Sequence, residues 1–168
     1  VTGVQTCALP IYNIDMYGGE PFLIKKFATV LKTAVERDYA KNIRLHYNSN
    51  GSVWPKEFIE YWPHFSEVGI LFSIDAIGNQ FEYQRGGNWK EVEENILRIK
   101  NLGFSNLNIA LMPSISILNI YYIDQVLDWA KTHNFQVFVS HVKTPAGFSL
   151  DNLTESRSEE HTSELQSH

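Results

Sequence analysis

The sequence predicts an α/β fold, a mostly parallel sheet with helices outside it. Segments of strand period alternate with segments of helical period in the order β-α-β-α-β-α-β-α-β, and such alternation implies parallel strands joined by helical crossovers. Two strand ends carry polar faces, Arg44, His46, Asn48 and Asn50, then Ser73 and Asp75. A concave, ligand-holding interior gives those side chains somewhere to point, whereas a flat sheet covered on both faces buries apolar ones. The 168 residues, 43% hydrophobic, suit one domain with its own core. Periodicity alone does not separate a doubly wound sheet from a partial barrel; the polar faces favour the barrel.

A strand-like run from Tyr12 to Tyr17 meets Gly18 and Gly19. Pro21 then stands where a first helical turn tolerates it, and Leu23, Ile24, Phe27, Val30, Leu31 and Ala34 recur at helical spacing. In "NIRLHYNS", Ile43, Leu45 and Tyr47 alternate with Arg44, His46 and Asn48, a strand period. Pro55 opens a short helix with Phe58, Ile59 and Trp62, which Pro63 ends. "VGILFSID" is the next strand, with Val68, Ile70, Phe72 and Ile74 on one face. Asn88, with Glu91 three residues on, starts a helix in a variant of the capping box; Trp89, Val92, Ile96 and Ile99 form its inner face and Gly103 closes it. "LNIALM" is a strand ending near Pro113. Asn119 is positioned to cap a helix bearing Ile123, Val126, Leu127 and Ala130, and "FQVFVSHV" is the last strand.

A net charge of −5, with no basic run, argues against a nucleic-acid partner. No apolar stretch approaches membrane-spanning length, so a soluble, cytoplasmic protein is expected. The histidines show no metal-ligand spacing.

Three stretches carry chemistry. In "GGEP", residues 18–21, two residues without side chains let backbone groups approach a ligand, and their carbonyls and the Glu20 carboxylate can accept from a cationic amine. The same residues also make an ordinary tight turn in which Glu20 favours a helix N-terminus. "YNSNG", residues 47–51, is an Asn-Gly turn that at a parallel strand's C-terminal end also puts Asn50 into a cleft. In "FSIDAIG", Ser73 and Asp75 share a strand face, and a hydroxyl and a carboxylate two residues apart suit a ribose diol or another polyol, or equally a capped strand end with an Asx turn at Asp75. Ten residues on, Arg85 in "EYQRGG" offers a fork for a carboxylate.

The order GGEP, Asn-Gly, "SIDAIG…EYQR" and "W..V..NI" resembles the radical S-adenosylmethionine (SAM) superfamily over essentially all of residues 12–150. The run "YNSNGS…YWPHFSEVGILFSIDAIGNQFEYQRGGNWKEVEENILRIK" is most similar to the branch with a SPASM or twitch extension. The resemblance implies a partial (β/α)6 TIM-like barrel, of which this chain holds the second to sixth strands and lacks the first. It implies that Gly18, Gly19, Glu20 and Pro21 receive the amino group of SAM, that Ser73 and Asp75 lie near its ribose and methionine parts, and that Arg85 meets its carboxylate. Asn50 and Ser114 would line the same cavity. The implied cofactors are SAM and a four-iron, four-sulfur (4Fe-4S) cluster. Reductive cleavage of SAM then gives a 5′-deoxyadenosyl radical for hydrogen abstraction from a substrate that in this branch is often a peptide or protein and sometimes a small metabolite. Tyr17, His46, Phe138, Ser140 and His141 are candidates to face it.

The sequence departs from the family at the cluster. The CxxxCxxC motif expected upstream of the GGEP strand is missing, and Cys7 is the one cysteine. One thiol cannot hold a cluster that needs cysteine thiolates. Residues 1–11 and 157–168 resemble translated sequencing adapter, one oligonucleotide read on its two strands, so the expectation is a partial core domain over residues 12–156 between two artefacts. That piece is expected to be inactive although its parent is an enzyme. The competing readings are a nucleotide-binding module, for which no GxGxxG or GxxxxGK[ST] loop is present, and a non-catalytic interaction domain on the same scaffold.

Overall fold

A computed structural model describes residues 11–153. Cys7 and almost all of the two adapter-like ends lie outside the described residues. The strands are β1 (Asn13–Met16), β2 (Arg44–Ser49), β3 (Glu67–Phe72), β4 (Leu107–Leu111), β5 (Ser114–Ile115), β6 (Gln136–Val137) and β7 (Ser140–His141). The helices are α1 (Lys25–Glu36), α2 (Gly78–Arg85), α3 (Trp89–Lys100) and α4 (Ile123–Thr132). Five strands form a parallel sheet in the order β1-β2-β3-β4-β6, and β5 pairs with β7, also in parallel. A doubly wound sheet reverses its order at a switch point. This one runs in chain order throughout, the arrangement of a sheet that curls one way, as in part of an α/β barrel.

Strand parity sorts the side chains. Leu45, Tyr47, Val68, Ile70, Phe72 and Leu111 are buried on one face. There they join Leu31 and Ala34 of α1, Val92, Ile96 and Ile99 of α3, and Val126 and Ala130 of α4 in one core. The other face is mostly polar and only partly self-paired, with His46 Nε2 and Asn48 Oδ1 buried without a hydrogen-bond partner. Arg44 Nε lies 3.6 Å from Glu67 Oε2, and His46 Nδ1 lies 3.9 Å from Asp15 Oδ1. Asn108 Nδ2 donates to Glu67 Oε1 at 3.1 Å. An aromatic cluster of Phe22, Tyr47, Phe58 and Trp62 closes the end of the core beside β2, with Trp62 Nε1 donating to the Tyr47 hydroxyl at 3.2 Å.

Several elements differ from the sequence reading. Pro21 opens a separate 3-10 turn, Pro21–Leu23, and α1 begins only at Lys25. Its inner stripe is therefore Ala28, Leu31 and Ala34, while Leu23 and Val30 are exposed. The segment after Pro55 is a chain of turns ending in the 3-10 turn Trp62–His64, with Pro63 inside it; Phe58 and Trp62 are buried as their spacing indicated. Helix α2 has a single buried residue, Phe81, and so no apolar stripe to betray it. Asn119 does not cap α4, which starts after Tyr122.

Strand β3 ends at Phe72, so Ser73 and Asp75 lie in the loop beyond it and not on a strand face. The last strand is interrupted. Phe138 N–H donates to the Leu111 carbonyl at 2.8 Å, Ser140 N–H to Pro113 at 3.0 Å and Val142 N–H to Ile115 at 2.9 Å, so the pairing continues. Pro113 has no N–H to give, and the ladder loses its regularity there. The Asn88 cap is as read: its Oδ1 accepts from Glu91 N–H at 3.2 Å.

Candidate functional site

The C-terminal ends of β1, β2 and β3 and the loop before β5 form one rim. Gly18 and Gly19 turn there at φ +88° and +60°, the left-handed region that glycine enters without strain. The turn delivers Glu20 inward, where it is 7% exposed. Its Oε1 accepts from Phe22 N–H at 3.3 Å and its Oε2 from Asn50 N–H at 2.9 Å. The Ser49 hydroxyl lies 3.0 and 2.9 Å from the two oxygens. Desolvation pushes the Glu20 carboxyl above its ordinary pKa, opposed by the hydrogen bonds from Asn50, Ser49 and Phe22.

Beyond Ser49 the chain makes an Asx turn, with Asn50 Oδ1 accepting from Ser52 N–H at 2.8 Å. Gly51 sits at φ +76°, and a Cβ there would come within 3.1 Å of Val92 and 3.3 Å of Ile96. Asn95 of α3 donates to the Gly51 carbonyl at 3.0 Å. The rim continues through Ser73, whose N–H donates to the Ser49 carbonyl at 2.9 Å.

A second cluster centres on Asp75. Arg85, the last residue of α2, donates to Asp75 Oδ2 from Nε at 2.8 Å and from Nη2 at 2.5 Å. Asp75 Oδ1 accepts from Ser114 N–H at 2.7 Å. Asn119, 1% exposed, donates from Nδ2 to the carbonyls of Asp75 and Ser114, both at 3.0 Å. The Ser114 and Ser140 hydroxyls are 3.0 Å apart.

Arg85 lines two hollows. One, about 280 Å³, holds Asn50, Ser52, Gly86, Gly87 and Glu91. The other, about 360 Å³, holds Asp75, Ser114, Ser116, Leu118 and Phe148. Of the residues singled out in the sequence, Asn50, Asp75, Arg85 and Ser114 thus line one or other of two hollows that share Arg85. Glu20 and Ser73 are tied to them through Ser49. Gly18, Gly19 and Pro21 line neither hollow, Pro21 being buried under the turn. Of the proposed substrate-facing residues, Ser140 joins this rim; Tyr17 is exposed, its ring 6.1 Å from that of His46.

Sequence reasoning missed Ser49 and Asn119. Ser49 had a signal: it shares the parity of Ile43, Leu45 and Tyr47, and a hydroxyl at a buried strand position needs a partner. Asn119 had none, because a cap and a buried loop clasp look alike in sequence.

Among the described residues no group of three His, Cys, Asp or Glu side chains could hold a metal ion, and no helix is long and apolar enough to cross a membrane. No curated protein matches the chain. The family model of the radical SAM superfamily matches residues 5–130, well over half of the sequence. With a one-way parallel sheet and polar strand ends gathered on a single rim, the chain belongs to the radical SAM superfamily.

Proposed function

We propose that this chain forms the SAM-binding wall of a radical SAM enzyme and does not cleave SAM by itself. One observation carries the first half. The Glu20–Ser49–Asn50 cluster and the Asp75–Arg85–Ser114 cluster stand on neighbouring strand ends, joined by the Ser73-to-Ser49 backbone bond. Their donor set suits a zwitterionic nucleoside. Arg85 gives Nε and Nη2 to Asp75, and its Nη1 has no partner among the described residues, which fits it to a ligand carboxylate. Gly18 and Gly19 offer carbonyls to an ammonium group, and Asn50, Ser73 and Ser114 offer short polar groups to the remainder. SAM held beside a reducing cluster supplies hydrogen-abstraction chemistry; the residues of this chain bind and orient it and keep water out.

The described residues do not fit the cluster. They bring together no three metal-binding side chains, and the whole sequence has one cysteine where a 4Fe-4S cluster takes cysteine thiolates. The same reading assigns the chain to the second to sixth strands of a (β/α)6 partial barrel, on the five parallel strands in chain order. It assigns the branch with a SPASM or twitch extension, on the run from Tyr47 to Lys100, and with it a peptide or protein substrate.

Equilibrium dialysis of the full chain with SAM tests the first half. Saturable binding is expected, weakened about tenfold, or ~1.4 kcal/mol, by Arg85→Ala. Absence of saturable binding up to millimolar SAM, with circular dichroism showing folded protein, overturns it. Anaerobic reconstitution with iron and sulfide tests the second half: iron at background and no SAM cleavage are expected, and bound iron with cleavage refutes it.

A further inference from the structure

Glu20 has no cationic partner among the described residues. Three donors surround it instead, the Phe22 and Asn50 N–H groups and the Ser49 hydroxyl. A carboxylate has about four acceptor directions. Three donors and near-complete burial leave little of it for a ligand ammonium. Ser49 Oγ in turn accepts from Gly51 N–H at 3.0 Å, while Asn95 holds the Gly51 carbonyl and Val92 and Ile96 leave little room for a Cβ there. The residues on both sides of Asn50 are thus clamped, and Asn50 shares a hollow with Arg85.

From this geometry we infer that Glu20 is a positioning residue. It acts on the pocket through Ser49 and Asn50, latching the end of β2 to the Gly18–Gly19 turn, and does not touch SAM. The inference rests on the SAM reading above and deepens it: on that reading the Gly18 and Gly19 carbonyls serve the ligand, whereas the Glu20 side chain is bonded to the protein.

Ser49→Ala separates the alternatives by sign. It removes the hydroxyl from Glu20 but keeps the carboxylate and frees part of it. A carboxylate that binds the ligand ammonium would then hold SAM as well or better; a latch would fail. The test measures SAM affinity by equilibrium dialysis on the folded full chain for wild type, Ser49→Ala, Glu20→Gln and the double variant. Amide hydrogen exchange at Asn50 and Gly51 is followed alongside.

The expected result is about tenfold weaker SAM binding in each single variant and no further loss in the double, since the two residues act as one unit. Asn50 and Gly51 lose protection while the β3–β4 ladder keeps it. Wild-type affinity in Ser49→Ala, with a loss in Glu20→Gln, overturns the inference and makes Glu20 a direct ligand. Lost amide protection with SAM affinity unchanged in both variants also overturns it, leaving a purely structural staple. A wild-type chain that folds but binds no SAM removes the SAM reading itself and this inference with it, a failure visible before any variant is made.

Discussion

Arg85 and Asp75 meet through a single oxygen: both Nε and Nη2 of the guanidinium converge on Oδ2, leaving Oδ1 to the Ser114 N–H. One aspartate therefore joins the loop after β3, the end of α2 and the start of β5. Asp75 and Arg85 are mostly buried at the side chain, so solvent screens the pair only in part.

Asp75→Ala leaves a guanidinium and a backbone N–H without their acceptor. It should cost about 2 kcal/mol in urea unfolding and weaken SAM binding, because Arg85 loses its orientation. Asp75→Asn keeps one acceptor oxygen and should cost less. Equal losses for the two substitutions would contradict this account.

Gly51→Ala faces two penalties. The residue sits at positive φ, and the new Cβ would meet Val92 and Ile96 at 3.1 and 3.3 Å. A loss of about 1–3 kcal/mol is expected from crowding alone. Gly86→Ala, at φ +69° with nothing near a built Cβ, carries only the backbone penalty and serves as the control. Thermal unfolding of the two variants should rank them in that order.

The raised pKa of Glu20 sets a pH dependence. Its ordinary value is 4.5, and burial lifts it in the folded chain. The folded state therefore binds this proton more tightly than the unfolded state. The stability it contributes is fully present below the ordinary value and is lost as pH rises through the folded one. Relative to Glu20→Gln, the wild type should gain stability as pH falls from 7 toward 4.5. Urea titrations at several pH values measure the difference, and a flat profile would count against it.

Tyr47→Phe removes the acceptor of the Trp62 indole N–H in a site where both rings are fully buried. An unsatisfied buried donor costs about 1–3 kcal/mol. Phenylalanine keeps the ring contacts with Phe22 and Phe58, so the aromatic packing should survive. A loss below a few tenths would mean that the indole finds another acceptor.

The strands were legible because parity is a strong signal where one face is buried. Val68, Ile70, Phe72 and Ile74 are all at most 1% exposed, as their alternation required. Helices α1, α3 and α4 were legible through their stripes, though a 3-10 turn moved the start of α1. Helix α2 was not, since Phe81 alone reaches the core. At the rim, residue types and order marked Asn50, Asp75, Arg85 and Ser114. Which way Glu20 turns depends on Ser49, 29 residues away, and no local pattern records that contact.

The strand ends are not level. Strand β3 stops opposite Leu111, whereas pairing between the next two strand segments runs on to Ile115, about 13 Å farther at the rise of a β-strand. The rim is thus a step with a riser on one side, moored at its foot by Ser114 to Asp75.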